Sequence, residues 1–232
     1  NSILRENPVT RLTQTRAWYR VDRRQTVIKP HELEPWFQAI MNLRNDPLSQ
    51  NRETIRDYLL LVLFTGLRRE EAASMTWNNV DLQAKILKVI DTKNHLDHTL
   101  PLSDFLYDLL QQRKNNATNE YVFQRASGIG YVSEQRKQMA KVIKESSISF
   151  TIHDLRRTFL TVAESLDISA YAVKRLANHK MSNDITAGYI VADVERLRQP
   201  MQKITDYILK CAGYKPSATV TDFPIKNLKS NT

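Results

Sequence analysis

From Arg52 to Gly66 the chain reads Arg-Glu-Thr-Ile-Arg-Asp-Tyr-Leu-Leu-Leu-Val-Leu-Phe-Thr-Gly, with no charged residue between Tyr58 and Gly66. A helix that is apolar nearly all round at its end has no face to give to water, so it belongs at the centre of a core with other elements packed about it. The run is far shorter than the roughly 20 apolar residues of a membrane span. Gly66 is a natural helix terminator, because it accepts the left-handed backbone that closes a last turn. Upstream, Leu33, Trp36, Phe37, Ile40 and Met41 fall at helical spacing up to Leu43, and the polar stretch from Arg44 to Asn51, which contains Pro47, reads as a loop.

The second constraining stretch runs from Thr151 to Tyr189. Thr151 with Asp154 three residues later has the form of a capping box and sets a helix start at about Thr151. Leu155, Phe159, Val162 and Leu166 then make one apolar stripe. His153 and Arg156 lie off that stripe, three residues apart, close enough to act on one ligand. Free amides at a helix start, an imidazole and a guanidinium together suit a phosphate. Spacing alone does not choose between Arg156 and Arg157, since offsets of three and four both face His153.

The remaining elements are short. Leu67 to Trp77 is expected to hold a short helix with Ala72, Met75 and Trp77 inward. Lys85 to Ile90 and Thr99 to Leu102 read as the strands of a hairpin with Lys93 near its tip. Ser103 opens a helix to about Arg113 with Phe105, Leu106, Leu109 and Leu110 inward. Asn115 to Asn119 is a loop, Tyr121 to Phe123 an extended piece, and Ser127 to Gly130 a turn. Ser133 to Lys144 reads as a basic helix carrying Arg136, Lys137, Lys141 and Lys144. Further helices are expected from Ser169 through Leu176 and from Val194 to Leu209. Residues 1–29 hold Arg5, Arg11, Arg16, Arg20, Arg23, Arg24 and Lys29 with Trp18 and Tyr19 interleaved and no sustained apolar period, the composition of a basic interdomain linker or arm. Residues 30–212 carry the helix and strand signals and are the expected main domain, the one that the resemblance given below makes catalytic. Residues 213–232 are a polar tail whose sparse Val220, Phe223, Ile225 and Leu228 suit docking on a neighbouring subunit.

Charge narrows the partners. Lys and Arg number 34 against 25 Asp and Glu, a net charge of +9 and a pI near 9.6, which favours a polyanion: nucleic acid first, a membrane surface second. No signal peptide is evident, and Cys211 is the only cysteine, which excludes an intrachain disulfide and a cysteine-based zinc cage. An intracellular, cytoplasmic setting is expected. The chain begins at Asn1 without Met, as an excised fragment with its N-terminal part missing would. His95 and His98, with Asp91 and Asp97 nearby, could suit a metal, but a hairpin facing DNA accounts for them more simply, so no metal site is assigned.

Taken in order, Thr65-Gly66-Leu67-Arg68 with Glu71 and Trp77, Lys93 in a hairpin ending Leu100-Pro101-Leu102, His153-Asp154-Leu155-Arg156-Arg157-Thr158-Phe159, Asn178-His179 and Gly188-Tyr189 resemble the pattern of the tyrosine recombinases, the lambda-type phage integrase family, over about Pro30 to Lys210. The resemblance implies a mainly α catalytic domain with a small antiparallel β-sheet, without the helical core-binding domain that precedes it in the family. It also implies a site-specific DNA recombinase that cleaves and rejoins strands through a 3′-phosphotyrosine, using neither metal nor nucleotide cofactor. In that scheme Arg68 and Arg156 clamp the scissile phosphate, and His153 donates to the phosphate or relays the nucleophile's proton. His179 adds a donor, Lys93 is the general acid, and Tyr189 is the nucleophile. Glu71 supports, orienting Arg68 or His153.

These residue types fit metal-free phosphoryl transfer. Developing charge on the phosphate must be met by pre-positioned donors, and a permanently charged, forked guanidinium does this better than an ammonium. The implied partners are double-stranded DNA at attachment-type sites and further copies of the chain, as a tetramer on DNA in a bacterial host cell, serving integration or excision of a phage or mobile element. Two other readings compete: a catalytically silent DNA-binding module of the same fold, and a type IB topoisomerase-like enzyme acting without partner subunits.

Overall fold

The computed structural model describes residues 7–15, 17, 25–43, 52–90, 97–125, 127–178 and 194–214. In chain order these form α1 (Pro8–Gln14), a 3-10 turn at Pro30–Glu32, α2 (Leu33–Asn42), α3 (Arg52–Thr65), α4 (Arg69–Ala73), a 3-10 turn at Trp77–Asn79, β1 (Val80–Asp81), β2 (Ile86–Val89), β3 (His98–Pro101), α5 (Asp104–Asn115), α6 (Arg136–Ser146), α7 (Ile152–Ser165), α8 (Ala170–Leu176) and α9 (Glu195–Cys211). The architecture is mainly helical with one three-stranded antiparallel sheet in the order β1-β2-β3.

The helix α3 is the axle of the core. Every residue from Tyr58 to Thr65 is buried, which is why this segment tolerates no charge. Its most extensive packing is against α7, through the stripe Leu155, Phe159 and Val162, while α5 and α9 also lie against it. The N-terminal end of α7 is built as its sequence dictates: the Asp154 amide donates to Thr151 Oγ1 at 3.3 Å and the Thr151 amide to Asp154 Oδ2 at 2.8 Å. Around this pair, α2 packs on α6, and α9 closes over α7, α8 and β3.

Several elements depart from the sequence expectation. The hairpin has a third strand, β1, whose two residues pair with Leu87 and Ile86 of β2; a segment this short carries no period-2 signal. Helix α6 begins at Arg136 rather than Ser133, because Ser133 is held outside it, its carbonyl by Arg69 and its hydroxyl by Arg125. The basic N-terminal stretch contains α1, capped by Asn7, whose Oδ1 accepts from the Val9 amide at 3.0 Å. That helix escapes a periodicity search because its apolar Val9 and Leu12 are themselves exposed. The end of the same stretch enters the core: Ile28 is buried, and its amide donates to Thr158 Oγ1 on α7 at 2.9 Å. Tyr214, just after Gly213, packs its ring on Phe37 and Phe105. The loop expected at Arg44 to Asn51 and the apolar residues Val220, Phe223, Ile225 and Leu228 lie outside the described residues.

Gly66 is demanded twice over at the end of α3. Its φ is +66°, and a Cβ there would come within 2.6 Å of Phe159 Cδ1. Gly66→Ala is therefore expected to lower unfolding free energy by about 2 kcal/mol or more, read as a fall in the urea midpoint at unchanged slope. The loss should be non-additive with Phe159→Leu in a double-mutant cycle, because the two groups compete for one volume.

Candidate active site

Two helix ends and one helix start converge where Gly66 turns the chain. Arg156, in the second turn of α7, is buried at 6% exposure. One guanidinium nitrogen, Nη1, donates to the Gly66 carbonyl, which follows the end of α3, and Nη2 donates to the Ala177 carbonyl, which follows the end of α8, at 2.6 Å. Helix C-terminal carbonyls lack intrahelical partners and carry the negative end of the helix dipole, so a cation is the group they accept best. Two residues beyond Gly66, Arg68 leaves the turn in extended conformation and caps α4. Its Nη1 donates to Glu71 Oε1 at 2.8 Å and its backbone amide to Glu71 Oε2 at 3.0 Å, so one carboxylate fixes both ends of the residue. Of the two partners expected for Glu71, its hydrogen bonds go to Arg68.

The two guanidiniums feel each other. Burial lowers the pKa of Arg156 first, the Arg68 charge lowers it further and Glu71 partly offsets this, bringing it down to about 10. It stays a cation at neutral pH. A buried cation held by neutral carbonyls, beside a second cation and a single carboxylate, keeps an excess of positive charge that an incoming anion relieves. His153, one turn before Arg156, is exposed at the start of α7. Partial burial, then Arg157 and Arg156, push its pKa below the ordinary value, which favours a neutral ring in the free protein. A groove beside Arg68, about 590 Å³ in volume, runs between α4 and β2 and includes Arg69, Asn79 and Lys88 in its lining.

Arg157 is committed elsewhere. It donates to Asp154 Oδ1 at 2.9 Å, while the same carboxylate takes Thr26 Oγ1 at 2.7 Å and Thr151 Oγ1 at 2.7 Å. Burial alone raises the Asp154 carboxyl, but the bonds from Thr26, Thr151 and Arg157 outweigh it and hold it below the usual carboxylate range. The ambiguity between the two arginines thus resolves physically: Arg157 neutralises Asp154, and Arg156 faces the Gly66 turn beside Arg68.

The structure brings Arg68, Glu71 and Arg156 together, with His153 one turn before Arg156 on α7; Lys93, His179 and Tyr189 lie outside the described residues, as do His95 and Asp91. His98 differs from its expected place. It opens β3 and is buried, with Nε2 3.2 Å from the Leu176 carbonyl, so it does not face DNA from the hairpin. The sequence signal for this was the spacing: His98 and Leu100 stand two apart in β3, on one side of the strand, and both are buried. The Gly66 and Ala177 carbonyls left no sequence signal, because every residue has a carbonyl.

A model of the phage integrase family matches residues 27–196, and the chain belongs to that family. It is 30% identical over 192 residues to the prophage integrase IntF of Escherichia coli (strain K12), covering 80% of this chain and 40% of the relative. It is 28% identical over 121 residues to the tyrosine recombinase XerA of Saccharolobus solfataricus, covering 52% of this chain and 40% of the relative. Among solved structures, the integrase from mycobacterium phage Brujita superposes with a TM-score of 0.57 at 18% identity over 88% of this chain and 72% of that one. The XerH site-specific recombinase bound to difH substrate does so with a TM-score of 0.54 at 18% identity over 78% and 50%. These two share the fold. The chain spans between 36% and 56% of the length of the curated relatives it matches.

The electrostatics make a direct prediction for His153. In the free protein its ring should titrate below the ordinary value of about 6.5, and duplex DNA should move the midpoint upward, since a phosphate favours the charged ring. Histidine NMR signals followed against pH with and without DNA check both directions; a midpoint that DNA leaves in place would separate His153 from the phosphate.

Proposed function

We propose that this chain is the catalytic portion of a site-specific DNA recombinase that breaks and rejoins DNA through a covalent phosphotyrosine. The observation that carries the proposal is the convergence of Arg68 and Arg156, 88 positions apart in the chain, on one anion-seeking site, with His153 one turn before Arg156 on α7. The family membership and the integrases and recombinases among its relatives support the same reading.

In the proposed reaction Arg68 and Arg156 hold the non-bridging oxygens of the scissile phosphate and meet the charge that grows there. The Tyr189 hydroxyl attacks the phosphorus in line, forming the Oη–P bond as the bond from phosphorus to the 5′-oxygen breaks. Its proton passes to the neutral His153 ring, while the Lys93 ammonium gives a proton to the departing 5′-oxygen, a poor leaving group otherwise. His179 adds a donor to the phosphate. Glu71 acts through Arg68, holding its guanidinium in place. Rejoining is the reverse, with a 5′-hydroxyl attacking the phosphotyrosine, so the bond energy is kept and no nucleotide is consumed.

The exposed Arg136, Lys137, Lys141 and Lys144 of α6 and the net charge of +9 support double-stranded DNA as the partner. Exchange between two duplexes requires two strand cleavages on each, which a tetramer on DNA supplies, and the segment after Gly213 is the proposed contact between copies. Integration or excision of a phage or mobile element at attachment-type sites in the bacterial cytoplasm is the proposed setting. Among the described residues no helix is long and apolar enough to cross a membrane.

A nicked suicide duplex incubated with the chain should trap a denaturation-resistant protein–DNA adduct. Tyr189→Phe should abolish the adduct with DNA affinity changed by less than about threefold; binding without any adduct from the unaltered chain would favour a silent DNA-binding module instead. Lys93→Ala should block cleavage of ordinary DNA yet cleave DNA with sulfur at the 5′-bridging position, whose leaving group needs no acid. Arg156→Lys keeps charge but loses the fork, so cleavage should drop on the order of a hundredfold, with Arg157→Lys far milder.

A further inference from the structure

The helix α8 closes through a left-handed residue, and two of its last carbonyls take partners from other elements. After Leu176 the chain passes through Ala177 and enters the left-handed region at Asn178, where φ is +50°. The carbonyls of Leu176 and Ala177 fall among the final four of the helix and its cap, which have no partner along the helix. Two side chains from distant elements take them: His98 of β3 takes Leu176, and Arg156 of α7 takes Ala177. The adjacent carbonyls thus form a shelf, one position of which anchors Arg156.

We propose that His98 is a positioning residue for the Arg156 guanidinium, acting through the Leu176–Ala177 carbonyl shelf that both side chains bind. The inference rests on the recombinase reading for its catalytic consequence, but its structural content is independent of it. A carbonyl only accepts, so the ring must carry its proton on Nε2, and Nδ1 is left as the acceptor. Burial pushes the His98 pKa down to about 4, with Arg156 and Arg175 lowering it and the Leu176 carbonyl and Glu71 opposing, so the ring is neutral and keeps one fixed donor through the neutral range. A charged ring at this place would add a third cation to the Arg68 and Arg156 pair. Histidine supplies a rigid donor without that charge, which a lysine or arginine could not. In sequence the shelf stands two positions before His179, and His98 five after Lys93, so the same tie joins the strand leading from one assigned residue to the helix leading to another.

The test compares His98→Gln, whose amide nitrogen reaches about as far as Nε2, with His98→Leu, which keeps volume and loses the donor. Both are made in the full 232-residue chain. In His98→Leu, amide exchange at residues 173–178 should speed up by about tenfold while α3 keeps its protection, and the adduct rate on saturating nicked duplex should fall about tenfold with DNA affinity within about twofold. His98→Gln should restore both to within about threefold of the unaltered chain. Unchanged exchange at the α8 end in His98→Leu overturns the proposal. So does an equal loss in both variants, or a loss of protection throughout the core, since either marks plain packing. If His98→Leu does not fold, the unaltered chain still decides: a ¹H–¹⁵N spectrum of its histidines at pH 7 should show a neutral Nε2-protonated ring for His98, and an Nδ1-protonated or charged ring overturns the proposal. If the unaltered chain forms no adduct, the recombinase reading fails while the exchange and ring measurements still judge His98.

Discussion

The site depends on a buried cation shared between two helix ends. Arg156 donates to the Gly66 carbonyl after α3 and to the Ala177 carbonyl after α8, so one side chain ties together three helices whose sequences are far apart. The interaction is favourable because the carbonyls are orphaned and sit at negative dipole ends, while the guanidinium, buried among them, has little water. Burying a cation in this way is costly unless each N–H it presents finds an acceptor. Its geometry is consequently over-determined. A lysine there would have one nitrogen for two acceptors on different elements.

Gly66 serves this arrangement in more than one way. Its left-handed backbone stops α3, its missing side chain lets the Phe159 ring close on the turn, and its carbonyl receives Arg156. Core packing and site geometry are coupled at this residue, since Phe159 lies three positions after Arg156 on the same helix. On the opposite side of α7, Asp154 gathers Thr26, Thr151 and Arg157, and Thr158 takes the Ile28 amide. The end of the basic N-terminal stretch is thereby pinned to the helix that presents His153 and Arg156.

Much of this was legible from residue order. The apolar run ending in Thr65-Gly66, the capping box at Thr151 and the stripe Leu155, Phe159, Val162 are local signals, and each corresponds to an element at the expected place within a few residues. The extra strand β1 and the late start of α6 were not legible, because each is decided by bonds to another segment, and α1 was missed because its apolar Val9 and Leu12 are exposed. His98 is the instructive case. Read by residue type with His95 and Asp97 it suited a hairpin facing DNA, whereas its place two before Leu100 in β3 puts it inside.

What the amino-acid order determined by itself was which segments must be buried, where helices start and stop, and which charged side chains are chemically fit for a phosphate. Those properties follow from local backbone preferences and from side-chain polarity, which need no knowledge of distant neighbours. Only the tertiary structure decided that Arg156 rather than Arg157 joins Arg68, that Glu71 serves Arg68, and that His98 supports the end of α8. The choices of Arg156 and His98 turn on backbone carbonyls, identical in every residue, that the ends of α3 and α8 offer to them, and Glu71 meets Arg68 where α4 starts beside that turn.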